Sequence, residues 1–200
     1  MDNLINYSLN ADPVGSFVDW YNDARKSEQN PEAMTLSTVD QKLNRPDSRT
    51  VLFKGMVGPN LTFYTNYLSQ KARELDDNCE ACVLFYWHVT KRQVRIQGRV
   101  KKMDAGESDK YFKNRDRQSQ LASYISEQSS PIEDKAVLLK KMEETDKKFQ
   151  GKEIPRPVNW GGFIFEPYEY EFFVYGEFRI NDRFLYKKSH NEWIITRLQP

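Results

Sequence analysis

The stretch RTVLFKGMVGPNLTFYTNYLSQKAREL, residues 49–75, decides the fold prediction for this chain. Its two apolar runs, RTVLFKG and LTFYTN, are rich in β-branched and aromatic residues, and Gly58-Pro59-Asn60 between them is typical of a turn. The sequence therefore predicts two adjacent strands at 49–53 and 61–66. A helix follows them, from Ser69 to about residue 76.

Charged and polar side chains accompany these elements. Arg49 and Lys54 belong to the first apolar run, RTVLFKG, and Ser69, Gln70 and Lys71 lie where the helix begins. Exposed N–H groups at a helix start favour an anion, so the segment indicates a site for a phosphorylated ligand. Strand cations that simply face solvent are the alternative. Because Arg49 and Lys54 are an odd number of residues apart, an unbroken strand points them to opposite faces, where they would serve two anionic groups unless a bulge re-aims one.

Bulk composition limits the class of protein. The 200 residues suit one domain spanning 1–200, with residues 1–11 as a flexible N-terminus. Charged residues make up 30% and the net charge is +1, so neither nucleic acid nor a membrane is expected as a partner. Aromatic residues at 14% favour a packed, β-rich core. The start of the chain lacks the pattern of a signal peptide, which predicts a cytoplasmic protein.

Cysteine chemistry is weakly supported. Cys79 and Cys82 form a single C-x-x-C, which could be a redox pair or half of a zinc site. The sequence has no second cysteine pair, and His88 and His190 are its only histidines. Cys82 leads into the apolar run 83–87, so we interpret it as a small core residue and predict no metal.

Hydrophobic periodicity predicts the remaining elements. Helices are expected at 12–26, 106–114, 118–125 and 132–149. Strands are expected at 33–39, 81–87, 93–101, 160–166, 170–175, 178–186 and 192–198, the last four as a meander. The alternation of the strand 93–101 runs through Gly98, which is a candidate bulge or close-approach point. Early and late strands with helices between them predict one α+β domain, a Greek-key or split β-barrel.

Familiar catalytic motifs are missing from the sequence. There is no G-x-S-x-G elbow, no G-x-G-x-x-G and no Walker loop. What remains is a scattered polar set that individually is typical of surface residues and together suits a polyanionic aromatic ligand. Three of its members recur every four residues and are predicted to share one helical face: Tyr111, Arg115 and Ser119. The others are Gln93, Gln128, Ser129, Arg179 and Arg183.

Several motifs in register carry a family resemblance. They are RTVLFKG, FYTNYLSQK, RQVRIQGRV, YFKNRDRQSQ, EQSS, PRPVNWGGF, DRFLY and a C-terminal RLQP. In this order and spacing the chain resembles the pyridoxamine 5′-phosphate oxidase family over nearly its whole length. The resemblance implies an FMN-binding split β-barrel with peripheral helices, assembled as a homodimer with FMN in the subunit interface.

The resemblance also assigns site residues, matched position by position. FMN contacts fall on Arg49, Thr50, Val51, Leu52, Lys54, Tyr64, Thr65, Gln70, Lys71, Gln93, Gln128, Ser129, Phe173 and Arg183. Substrate contacts fall on Lys54, Tyr111, Arg115, Ser119, Arg179 and Asn181, of which Arg179 and Asn181 are the implied catalytic pair. The opposed cations then have separate targets: the flavin phosphate for Arg49 and the substrate phosphate for Lys54.

The family's reaction is an oxidation of pyridoxamine or pyridoxine 5′-phosphate to pyridoxal 5′-phosphate. A hydride passes from the substrate C4′ to flavin N5, leaving an imine or aldehyde, and O₂ reoxidises the flavin with release of hydrogen peroxide. The flavin is the electron sink, so the protein's tasks are stacking, orientation and charge placement.

The chain departs from the family pattern at the site. Asn181 replaces a histidine, Phe173 a tryptophan and Gln70 an arginine, and no R-x-E-Y segment precedes Asp12. We therefore expect FMN binding with reduced oxidase activity. The alternatives are a split-barrel flavoprotein acting on another substrate and a non-catalytic carrier of FMN or pyridoxal phosphate. An RNA-binding barrel is disfavoured by the small net charge.

Overall fold

A computed structural model describes residues 7, 9–190 and 192–200 of the chain. The described part contains nine strands that form one antiparallel sheet. They are β1 (Ala33–Asp40), β2 (Arg45–Leu52), β3 (Met56–Val57), β4 (Asn60–Asn66), β5 (Glu80–Trp87), β6 (Arg92–Lys102), β7 (Trp160–Val174), β8 (Asp182–Ser189) and β9 (Glu192–Leu198). The helices are α1 (Pro13–Ala24), α2 (Gln70–Asp77), α3 (Ala105–Lys113), α4 (Arg117–Ile125), α5 (Lys135–Lys148) and a 3₁₀ turn (Glu177–Arg179). The predicted α+β split barrel with peripheral helices is confirmed.

Strand β7 organises the sheet. One edge pairs with β6 along almost its whole length, while the other edge pairs first with β4 and then with β8. The change of partner falls at Pro167. Proline has no N–H to donate, so no backbone hydrogen bond is lost where this edge of β7 is unpaired. Pro167 also faces Gly98, where the β6–β7 register shifts. Gly98 is confirmed as a close-approach point, because a Cβ there would lie 2.5 Å from the Glu166 carbonyl oxygen, and the extra residue of the register shift is Tyr168 of β7.

Several predicted boundaries were wrong. The segments 160–166 and 170–175 form the single strand β7, and the predicted strand 178–186 begins only at Asp182 because 177–179 form the 3₁₀ turn. The final meander therefore has three strands. Strand β2 pairs with β1 rather than with β4. The hairpin partner of β4 is the short β3, which was not predicted.

Aromatic side chains fill the main core between the sheet and α1. Asp12 caps α1 by accepting from the N–H groups of Val14 and Gly15. The helix then buries Phe17 and Trp20 completely, and the Trp20 ring packs edge-on against Phe172 at 5.1 Å. A second, smaller cluster lies under α3, α4 and the start of β7 and comprises Phe112, Leu121, Ile154 and Trp160. None of the described helices is long and apolar enough to cross a membrane.

The described N-terminal residues pack against the domain. Leu9 is buried, the Tyr7 hydroxyl donates to Asp182, and the Tyr186 hydroxyl donates to the Asn10 carbonyl. The rest of the predicted flexible segment, residues 1–6 and 8, lies outside the described residues. Cys82 was expected in the core but is only half-buried, because its side chain alternates with the buried Ala81 and Val83. Within the described residues no group of three or more His, Cys, Asp or Glu side chains is placed to hold a metal ion.

Candidate functional site

A cavity of about 770 Å³ lies between β2, β4, the start of α2, the α3–α4 connection and the start of β7. This volume is in the range of small-molecule sites. Many of the sequence-predicted site residues line it: Arg49, Thr50, Val51, Leu52, Lys54, Tyr64, Thr65, Lys71, Tyr111, Arg115, Ser119 and Gln128. Gln70, Gln93, Ser129, Phe173, Arg179, Asn181 and Arg183 are not among its lining residues.

Lys71 lies in the cavity wall as a buried cation. Its Nζ is 3.2 Å from Gln128 Oε1 and 3.4 Å from Thr65 Oγ1, and no described carboxylate lies within 4.0 Å of it. Burial and the neighbouring Arg49 charge lower the pKa of the Lys71 ammonium from its ordinary value. A buried ammonium without a counterion is costly, so this position favours an anionic ligand.

The start of α2 adds further donors beside Lys71. The Ser69 side chain at the N-cap makes no capping bond, and its buried Oγ has no hydrogen-bond partner among the described residues. The Gln70 N–H donates to Ser129 Oγ at 3.3 Å, and Asn66 Nδ2 holds the Ser126 carbonyl at 3.0 Å. These bonds fix the loop that carries Gln128 against the helix start. The result is a corner whose donors suit an anion, built from a helix N-terminus, a hydroxyl and an ammonium.

Arg49 also lines the cavity, but its charge is already paired. Its Nη2 lies 2.7 Å from Asp47 and 3.0 Å from Glu74, and Nη1 donates to Thr38. The Gln70 side chain joins this network, with Nε2 2.8 Å from Asp47 and 3.0 Å from Glu74. Gln70 is therefore engaged with carboxylates, and Lys71 is the cation at this end of the cavity that contacts no described carboxylate.

Arg115 provides the uncompensated charge at the α3–α4 connection. Its Nη1 donates to Ser123 Oγ at 2.7 Å, and its Cζ lies 4.6 Å from the Trp160 ring centroid. No described carboxylate lies within 4.0 Å of the guanidinium. Burial lowers the pKa of Arg115, yet a guanidinium keeps its proton at any physiological pH. Arg115 is thus a half-buried cation, and most of its N–H donors make no hydrogen bond to the described residues.

Tyr111, Arg115 and Ser119 do not share one helical face, contrary to the prediction. Tyr111 lies in the last turn of α3, Arg115 lies in the connection, and Ser119 lies in the first turn of α4. The i,i+4 spacing is interrupted because Asn114 closes α3 and the Asp116 carboxylate caps α4 through the Ser119 N–H at 2.8 Å. All three side chains nevertheless line the cavity.

Aromatic rings form one wall of the cavity. Tyr64 stacks on Tyr111 with ring centroids 3.7 Å apart, and Trp160 lies nearly parallel to both. Gly162 permits this arrangement, because a Cβ there would lie 2.9 Å from the Tyr64 ring. Burial raises the pKa of the Tyr64 hydroxyl to about 12, so it stays protonated. Trp160 was interpreted from sequence only as part of a packed strand, although a large ring before two glycines is a signal that could have marked it.

A second group of predicted residues lies on strands β6, β7 and β8. Gln93, Phe173 and Arg183 are paired across the three strands in direct register. Arg183 is held by the buried Glu171 at 2.7 Å, and Arg95 binds the other carboxylate oxygen at 2.6 Å. Burial opposes ionisation of Glu171, but the hydrogen bonds from Arg95 and Arg183 outweigh it and lower the pKa of the carboxyl.

The predicted catalytic residues lie in the turn next to this group. Arg179 adopts a left-handed conformation with φ 64°, as does Phe178 with φ 54°. The Asn181 Oδ1 closes the turn by accepting from the Gly176 N–H at 3.1 Å. Phe178 is 91% exposed and Ile180 71%. The turn thus presents apolar and cationic side chains outward, away from the cavity of its own chain.

Comparisons with known proteins give a consistent result. Residues 22–149 match the family model described as pyridoxamine 5′-phosphate oxidase, and residues 160–200 match the pyridoxine 5′-phosphate oxidase C-terminal dimerisation region. A pyridoxine/pyridoxamine 5′-phosphate oxidase of Coxiella burnetii is 41% identical over 198 residues, which cover 98% of this chain and 100% of that protein.

Solved structures show the same fold. PhzG from Burkholderia lata, in complex with tetrahydrophenazine-1-carboxylic acid, superposes with a TM-score of 0.90 at 29% identity, covering 96% of this chain and 94% of that one. A pyridoxamine 5′-phosphate oxidase-related, FMN-binding protein from Nostoc punctiforme has a TM-score of 0.77 at 18% identity, covering 94% and 98% of the two chains.

Proposed function

This chain belongs to the pyridoxamine 5′-phosphate oxidase family, and we propose that it is an FMN-dependent oxidase of pyridoxamine or pyridoxine 5′-phosphate. The observation that carries the proposal is the presence of two cations that are buried or half-buried, Lys71 and Arg115, in the wall of one cavity, each without a described carboxylate within 4.0 Å. A cofactor and a substrate that each bear a phosphate would satisfy one cation apiece.

The FMN phosphate is assigned to the corner built by Lys71, Thr65, Gln128 and the start of α2. The unpartnered Ser69 Oγ and the buried Lys71 ammonium are the groups that such a phosphate would satisfy. When bound, the flavin supplies the hydride acceptor. The chain's own residues bind and orient it, and the paired Arg49 stabilises the wall through Asp47 and Glu74.

The substrate phosphate is assigned to Arg115, Tyr111, Ser119 and Lys54. Arg115 offers a planar fork of N–H donors, and the two hydroxyls and the exposed Lys54 ammonium complete the donor set. Four donors at one place favour a phosphate monoester, which has three acceptor oxygens, over a carboxylate, which has two.

The second group, now taken to include Arg179 and Asn181 of the adjoining turn, is assigned to the site of a partner subunit. Gln93, Phe173, Arg183, Arg179 and Asn181 lie away from the cavity of their own chain. All except Gln93 fall inside the region that matches the dimerisation model. In a symmetric dimer each copy would supply the second group to the other's cavity, with FMN between the subunits. O₂ is the proposed electron acceptor.

The three departures from the family pattern point to slower turnover. Asn181 can accept or donate a hydrogen bond but cannot titrate near neutral pH. Phe173 keeps apolar cover for the flavin without an indole N–H donor. Gln70 is neutral, so one cation fewer lies near the cofactor phosphate. Its amide binds Asp47 and Glu74 instead.

Oxidation of a tricyclic acid is the second candidate function. The likeness to PhzG, over almost the full length of both chains, is the observation that favours it. The phosphate donors around Arg115 argue for the first candidate, and a competition between the two substrate classes decides between them.

The test begins with purified protein loaded with FMN. We expect a flavin spectrum, then formation of pyridoxal 5′-phosphate and hydrogen peroxide on addition of pyridoxamine 5′-phosphate. Arg115→Gln should raise KM for this substrate about 10-fold or more and leave the Kd for FMN within 2-fold. The exposed Arg99 provides a matched control in Arg99→Gln, which should change neither. A loaded wild-type protein that releases no peroxide contradicts the proposed function.

A further inference from the structure

We propose that Trp160 is a positioning residue: its indole face, together with the Ser123 hydroxyl, holds the Arg115 guanidinium in the orientation that receives the substrate phosphate. The inference rests on the proposed function and deepens it, because it names what prepares the phosphate site before a ligand arrives.

Arg115 needs such support because its own backbone gives little. It lies in the three-residue connection between α3 and α4, after the helix end at Lys113 and before the Asp116 cap. A long arginine side chain there has many rotamers, and ordering it on ligand binding costs free energy. A guanidinium already fixed in the binding orientation avoids most of that cost.

The guanidinium has two close contacts, the Trp160 ring and Ser123, and a more distant one, the Phe112 ring with its centroid 5.9 Å from Cζ. The Trp160 ring covers one face, with the Arg115 Cζ 4.6 Å from the ring centroid. Ser123 Oγ accepts from Nη1 at 2.7 Å, which is the only hydrogen bond that the guanidinium makes to the described residues. Tryptophan is the aromatic ring that attracts a cation most strongly. One face and one nitrogen are therefore occupied, and the remaining donors are left for an anion.

Trp160 is suited to this task because it is itself immobile. Its side chain is 6% exposed and packs against Phe112 with ring centroids 5.2 Å apart. Its carbonyl accepts from Arg156 Nη1, and its backbone pairs with Asn66 of β4. The ring is therefore held in one orientation at the start of β7, and its contact with Arg115 restricts the orientations of the guanidinium.

Equilibrium binding measures the contribution of the phosphate as the Kd for pyridoxal divided by the Kd for pyridoxal 5′-phosphate. This ratio should fall about 5- to 10-fold in Trp160→Leu of the FMN-loaded protein, with the Kd for pyridoxal changed less than 2-fold. The ratio for Trp160→Phe should lie between those of Trp160→Leu and the wild type. Ser123→Ala should lower the ratio about 3-fold. Phe149→Leu is the matched control, since it removes an aromatic ring from the same cluster without touching Arg115. That variant should leave the ratio unchanged.

A double-mutant cycle separates positioning from general packing. In an Arg115→Ala background, Trp160→Leu should cause no further fall in the ratio. An equal fall in both backgrounds overturns the inference, as does a wild-type protein with no preference for the phosphorylated ligand. A protein that prefers the phosphate and shows the coupling but produces no peroxide supports the inference and contradicts only the proposed oxidase activity.

Discussion

Replacing Lys71 with methionine should move the stability of the empty and the FMN-loaded protein in opposite directions. Methionine keeps the length and volume of the buried side chain and removes its charge. Because the Lys71 ammonium has no carboxylate within 4.0 Å among the described residues, the empty protein should gain about 1 kcal/mol. For a chain of this size that gain raises Tm by about 2–4 °C.

FMN binding should weaken in the same variant. Loss of one charge-assisted contact to a phosphate costs about 2 kcal/mol, which raises Kd about 30-fold. With FMN at 100 times the wild-type Kd, the ligand stabilises the wild type by about 2.7 kcal/mol and the variant by about 0.9 kcal/mol. Thermal unfolding with and without FMN measures both effects, and the 85%-exposed Lys42 supplies the control Lys42→Met.

The charge of Lys71 also predicts a pH dependence. Its pKa in the folded protein is lowered below the ordinary value of 10.5, so between the two values the unfolded chain binds more protons. Stability of the empty wild type should therefore rise with pH across that alkaline window, and the advantage of Lys71→Met should shrink. A variant that destabilises the empty protein and leaves the FMN Kd unchanged would refute this account of the corner.

Three further predictions concern the second group and the sheet. Asn181→His should raise kcat/KM for pyridoxine 5′-phosphate about 10-fold and introduce a titration near pH 6.5 in steady-state profiles; flat profiles without gain exclude Asn181 as the cause of slow turnover. Glu171→Gln should destabilise the fold by about 2 kcal/mol in urea unfolding at pH 7, because Arg183 loses its carboxylate partner and Arg95 keeps only Glu169 at 3.3 Å. The Glu171 pKa is lowered from 4.5, so its contribution is present above pH 4.5 and lost as pH falls through the folded value; a difference from wild type that persists at lower pH contradicts this assignment. Gly98→Ala should cost about 3 kcal/mol, since its Cβ would meet the Glu166 carbonyl oxygen, and a stability equal to wild type would show that the bulge can relax.

The sequence predicted most elements but not how β7 is built. The hydrophobic pattern predicted separate strands at 160–166 and 170–175, on either side of Pro167. The structure keeps one strand because the proline stands where the second edge changes partner from β4 to β8 and no ladder bond is required. This information is long-range, and no local pattern contains it.

The site was predicted in its residue types more than in its geometry. The i,i+4 spacing of Tyr111, Arg115 and Ser119 indicated a helical face, and local capping by Asp116 overrode it. The pairing of Arg49 with Glu74 joins residues 25 positions apart, so sequence alone assigned the charge to a ligand. What periodicity cannot tell is which cation finds a carboxylate within the protein, and that determines which cation remains for an anion.

Strand β7 begins with Trp160 in the cavity and ends near Phe173 in the second group, roughly 40 Å further along an extended chain. If each active site combines the start of β7 of one subunit with the end of β7 of the other, two defective variants should complement each other in a mixed dimer. A chain defective at Arg115 and a chain defective at Arg179 would each retain little activity alone at substrate concentrations well below KM. After unfolding and refolding together, their mixed dimers would contain one intact site, and an equal mixture would recover roughly a quarter of wild-type activity.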